Sequence, residues 1–183
     1  MRWPGVLMLV IGTGGLAAAQ GMTDFSFMPD GGRNTFVAVF KTASEARLVL
    51  AETHDAAEWA ARIAAAAPEL APRQVETLAG YLAINTPLAV ATDPEADAPD
   101  LPDITTLLAP DGRDLALAQC QFCHSLFSGY LTQDRDEIGW LSTFKSPFHS
   151  TIAMTEVEQR TFANYSAINM PMKYTDVPPE LRF

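Results

Sequence analysis

Apolar positions recur at helical spacing in five stretches of this chain, several of them with a local start or stop signal. Two lie in the first half, at about Ala56 to Ala66 and Pro72 to Asn85. In the second half a short helix is expected from Gly112 to Gln119, with Leu115 and Leu117 among its apolar positions, and another around Trp140, near Ile138 and Phe144. The last begins at Thr155, where Thr155, Glu156, Val157 and Glu158 form a capping box, and runs through Phe162 to Ile168 until Pro171 ends it. Residues 36–40 and 46–50 differ: these alternating or β-branched runs, separated by a short polar turn, have the pattern of a hairpin. Between 90 and 110, Pro94, Pro99, Pro102 and Pro110 sit among Asp93, Glu95, Asp97, Asp100 and Asp103, the composition of an extended acidic linker.

The first residues carry a separate message. Arg2, the apolar stretch from Gly5 to Leu16, and Ala17, Ala18 and Ala19 have the layout of a secretory signal peptide over 1–19, cut before Gln20. About a dozen apolar residues fall short of the roughly 20 that span a bilayer, so no membrane span is expected in the mature chain. The remaining organisation is an N-terminal domain over 20–89, the linker over 90–110 and a C-terminal domain over 111–183.

Charge narrows the partners. Removing residues 1–19 takes away Arg2 alone and moves the formal charge from −10 to −11, which disfavours nucleic acid. An acidic surface instead suits a redox protein with a basic docking patch, although acidic residues also keep a secreted chain soluble.

The strongest chemical signal is local. Cys120, Gln121, Phe122, Cys123 and His124 place two thiols three residues apart with an imidazole directly after them, the pattern of a covalent haem c attachment site. On a helical turn both sulfurs face one side, within reach of the two vinyl groups of one porphyrin, and His124 becomes the proximal iron ligand. The chain has only two cysteines, so a four-ligand Cys/His zinc site lacks its second pair, and the flanks lack the βαβ setting of a thioredoxin-like motif. One covalent haem c per chain is therefore expected. Combined with the export signal, it places the protein in the bacterial periplasm.

An internal echo runs through the chain. Gly32, Arg33 and Asn34 match Gly112, Arg113 and Asp114 at an offset of 80, Trp59 answers Trp140, and the segment 81–87 answers 165–171 with Tyr, Ala, Ile, Asn and Pro in common. In that register Cys120, Cys123 and His124 face Phe40, Ala43 and Ser44, which makes the first half a haem-less, degenerate copy. A small α+β domain built on the hairpin is the alternative.

Over residues 110–172 the order of elements resembles the class I c-type cytochromes, and its spacing is similar to that of the small cytochrome subunits of periplasmic dehydrogenases. The resemblance implies a mainly α fold in which a helix ending in the attachment motif crosses an aromatic-rich C-terminal helix. It also implies a distal iron ligand in the loop before that last helix. The position falls on His149, with Met154 as the alternative; Met170 and Met172 lie beyond the helix, where the family does not usually place a ligand. A Met is the commoner family choice, and bis-His ligation implies a lower potential. Trp140, Phe122, Phe127, Phe144, Phe148 and Phe162 would wall the porphyrin, and Lys145 and Arg135 are available to its propionates. The function implied is one-electron transfer, with the chain as acceptor for or subunit of a periplasmic dehydrogenase and not a stand-alone catalyst. A haem sensor or peroxidase-like protein with an open or labile sixth site is the alternative.

Overall fold

The computed structural model describes residues 25–89, 104 and 106–183. The signal peptide expected over 1–19 and most of the linker expected over 90–110 lie outside the described residues. The chain is mainly α-helical, and helices are the only regular elements among the described residues. In the first half these are α1 (Gly32–Val39), α2 (Ala43–Leu50), α3 (Ala56–Ala66) and α4 (Pro72–Asn85). In the second they are α5 (Gly112–Gln119), a π-helical turn (Phe127–Leu131), α6 (Glu137–Thr143), α7 (Glu156–Asn169) and two short 3-10 turns (Tyr174–Asp176 and Pro179–Leu181).

Local signals set most of these boundaries. Asp55 caps α3 by accepting the Glu58 amide at 2.8 Å, and Pro72 opens α4, where a missing N–H costs nothing. In α7 the two halves of the capping box are present: the Thr155 hydroxyl accepts the Glu158 amide, and the Glu158 carboxylate accepts the Thr155 amide at 2.7 Å.

The hairpin, and with it the small α+β alternative, is corrected. Residues 36–40 and 46–50 fall largely within α1 and α2. Thr42 caps α2 through the Glu45 amide, and Phe36 stacks on Phe40 one helical turn away, with ring centroids 4.8 Å apart. Phe36, Ala46 and Leu50 are fully buried in the first-half core with Trp59 and Leu82. Packing of that face outweighs the modest β preference of Val37, Val39 and Val49.

Three helices of each half correspond in order, α1 with α5, α3 with α6 and α4 with α7, while a five-residue π-helical turn stands in the order where the first half has α2. Helices α1 and α5 have eight residues each, α4 and α7 have fourteen each, and Asp55 and Asp136 cap α3 and α6 in the same way. Contacts between halves come in matched pairs. Asn85 donates to Thr161 Oγ1 at 3.1 Å and Asn169 to Thr77 Oγ1 at 3.0 Å. Tyr81 donates to the Ala109 carbonyl and Tyr165 to that of Pro29, both at 2.7 Å. Such reciprocity is the mark of an isologous interface, here built within one chain around α4 against α7. The segments ahead of α1 and α5 are exchanged: Met28 is buried in the second-half core, Ile104 and Leu108 in the first.

Asp111 joins the halves at one point. Its carboxylate accepts the Asp114 amide at 3.0 Å, capping α5, and the Arg33 amide of α1 at 3.0 Å. The pseudo-equivalent position is Gly31, where a Cβ would lie 1.9 Å from that carboxylate. Asp111→Ala, which strands both amides, is expected to lower unfolding free energy by about 1–3 kcal/mol, and Asp111→Asn, which keeps an acceptor oxygen, by less. Burial raises the Asp111 carboxyl above its ordinary value. The native state therefore holds this proton more readily than the unfolded chain. Between the ordinary and the raised value, stability falls as pH rises, and denaturation midpoints of wild type should lose ground to Asp111→Asn across that window.

Candidate functional site

The site lies where α5 runs out. Cys120 is the C-cap residue of α5, its amide still bonded to Ala116 O at 2.9 Å, and the chain then turns through 121–124 before entering the π-helical turn. A π-helical insertion of this kind is frequent at functional positions. Here it brings Gly129 against the His124 ring: a Cβ on Gly129 would lie 2.0 Å from Nδ1 and 2.1 Å from Cε1. No residue with a side chain fits there while the imidazole keeps its place.

Across from this turn, Asp136 caps α6 by accepting the Gly139 amide at 2.7 Å and so sets the helix that buries Trp140. The following loop folds on itself through Ser150 N–H to Ser146 O at 2.9 Å and Ile152 N–H to His149 O at 3.1 Å, which carries His149 towards the turn at 120–124. A cavity of about 660 Å³ separates these elements, with Cys120, Cys123, His124 and His149 in its lining and Tyr130, Trp140, Phe144 and Phe162 as apolar wall. Its volume and lining suit a large, mostly apolar ligand.

The two imidazoles both line it, with ring centroids 6.3 Å apart and planes at 82°. Two imidazoles ligating one metal from opposite sides, each at about 2.0 Å metal–nitrogen distance, have centroids roughly 6 Å apart. The outer nitrogens are engaged. His124 Nδ1 donates to the Ser125 carbonyl at 3.2 Å, and His149 Nδ1 is bonded to the Ser146 hydroxyl at 2.8 Å. Such bonds restrain ring orientation and leave each Nε2 without a partner from Ser125 or Ser146.

No protein-family model, curated protein or solved structure matches the chain.

Cys120 and Cys123 are free thiols. Cys123 is exposed, whereas burial pushes the Cys120 thiol up to about 12. Among the described residues no group of three or more His, Cys, Asp or Glu is placed to hold a metal ion. Met154 does not line the cavity: it is buried in the second-half core, just ahead of the α7 cap. Met170 is buried in that core too, and Met172 packs beside it with its amide on Leu131 O.

Arg135 lies over the Trp140 ring at 5.3 Å and donates to Thr143 Oγ1 at 3.0 Å, while Lys145 is exposed. Trp140 Nε1 is buried without a partner among the described residues, but so is its counterpart Trp59 Nε1, so the orphan follows the repeat and requires no ligand. Phe127 lies outside the cavity lining. His54 belongs to a network with Glu52, Glu58 and Arg62 beside Trp59 in the first half, away from this lining. Gly129 and Ser146 were not marked by the motif. Gly129 reads as an ordinary turn glycine until the π-helical turn presses it on His124, and Ser146 acquires meaning only when the loop closes.

Proposed function

We propose that the chain is an exported, periplasmic c-type cytochrome of the class I kind, carrying one haem c on Cys120 and Cys123 and passing single electrons as acceptor for or subunit of a periplasmic dehydrogenase. The observation that carries this reading is the pairing of His149 with His124 across a cavity that the attachment cysteines also line. His124 and His149 would hold the iron, and Cys120 and Cys123 would hold the porphyrin through thioethers. When bound, the haem supplies reversible Fe(III)/Fe(II) exchange of one electron. The protein holds both imidazoles in orientation through Ser125 and Ser146, and excludes water with Tyr130, Trp140 and Phe162. The first half, with Phe40, Ala43 and Ser44 at the attachment positions, is a degenerate copy that keeps the packing and lacks the cofactor chemistry.

The test is direct. Expressed in a host with working cytochrome c maturation, the periplasmic protein should be coloured, contain one haem per chain and keep its pigment through acidified acetone. A colourless product, or one that releases its pigment, overturns the reading.

A further inference from the structure

The mouth of the site does not share the charge of the molecule. Residues 119–133 and 138–155 contain no Asp or Glu, and Lys145 is the only Lys or Arg among them. Neither the cavity nor the adjoining hollow of about 400 Å³ that shares Phe122, Cys123 and His124 has an Asp, Glu, Lys or Arg side chain in its lining. The rim carries Ser, Thr and Gln side chains together with Phe122 and Phe148, which are 77% and 90% exposed.

The acidity has other places and other tasks. Five acids and no base fall in residues 90–110, half of the net −10. Asp55, Asp111 and Asp136 are helix caps, and Glu158 closes a capping box. A partner recognised by a basic patch needs acidic side chains at its contact, and the cavity lining offers none.

The geometry points to an uncharged docking face: the chain exchanges electrons with a redox protein whose own cofactor edge is ringed by apolar, uncharged side chains, and the contact is made through Phe122, Phe148 and the Ser/Thr rim. This replaces the basic patch that net charge alone suggests, and it rests on the haem reading above. Docking of this kind draws on apolar burial around aromatic anchors, with little dependence on salt. With haem bound, the exchange would be of one electron, the haem iron oxidised and the partner's centre reduced, with no proton or group transferred.

The holoprotein, reduced, is mixed in turn with two oxidised acceptors: a blue-copper protein whose copper edge is apolar, and a strongly basic c-type cytochrome. Transfer to the copper protein, Cu(II) to Cu(I), should be the faster and change by less than about threefold between about 10 mM and about 500 mM NaCl. Phe148→Glu should slow it by about tenfold or more. In ¹⁵N-labelled protein, shifts on adding the redox-inert zinc form of the copper protein should fall within 119–133 and 138–155. Faster transfer to the basic acceptor with a steep loss in salt, an unaltered rate in Phe148→Glu, or shifts confined to the acid-bearing segments overturns the inference while leaving the haem reading intact. A preparation without covalent haem overturns the haem reading itself.

Discussion

Replacing Gly129 with alanine is expected to cut the yield of low-spin holoprotein by about tenfold or more, because the new methyl group and the His124 ring compete for the same space. A Cβ at 2.0 Å from Nδ1 and 2.1 Å from Cε1 is far inside contact distance. The backbone has little room to retreat: Tyr130 and Leu131, next in the chain, are 1% and 0% exposed in the core, and the Gly129 amide is tied to Ser125 O at 3.0 Å. The ring must therefore turn, breaking its 3.2 Å bond to the Ser125 carbonyl and moving Nε2 off line. Outer-shell changes at metal sites typically cost 10–100-fold in affinity or activity, and on the proposed haem reading the ligand itself would be displaced. Gly139→Ala is the matched control, since its nearest neighbours, Asp136 Oδ1 and Arg135 Cβ, stand at 3.1 and 3.2 Å. A Gly129→Ala protein with full low-spin bands and an unmoved midpoint potential would contradict this account of the π-helical turn.

What could be read in the chain followed the range of the interactions involved. Helices α3, α4, α5 and α7 were legible to within a residue or so because a cap, a leading proline or a capping box marks them within one turn of sequence. Helices α1 and α2 were not, since their short runs of Val, Phe and Leu suit strand or helix, and the decision falls to Trp59, Leu78 and Leu82 from distant segments. The repeat was visible in Gly, Trp, Tyr, Asn and Pro, residues whose roles are hard to substitute. Its consequence was not, because nothing local says that Met28 belongs to the second core and Leu108 to the first. The same division runs through the site: the attachment pentapeptide is self-contained, whereas the placement of His149 opposite His124 and of Gly129 beneath it depends on loops closing over α6 and α7.

His149→Ala is expected to convert the holoprotein from low-spin to high-spin and to let the reduced form bind CO, while Met154→Leu leaves the visible spectrum as it is. His149 is the side chain that meets His124 across the cavity, held by Ser146 on its outer nitrogen. Met154 is 8% exposed and packed in the core outside the cavity lining; a volume-conserving change there should cost less than about 1.5 kcal/mol and no ligand. His149→Met tests the tuning as well as the geometry. A thioether in place of imidazole favours the ferrous state, so the midpoint potential should rise by on the order of 100 mV. Were His149→Ala to stay low-spin and inert to CO while Met154→Leu turned high-spin, the iron would be held from the α7 cap, and the histidine would be a loop residue. A wild-type protein that is already high-spin and binds CO on reduction would instead mean that Ser146 does not hold the ring at bonding distance, and the site would be a ligand-binding haem, not an electron relay.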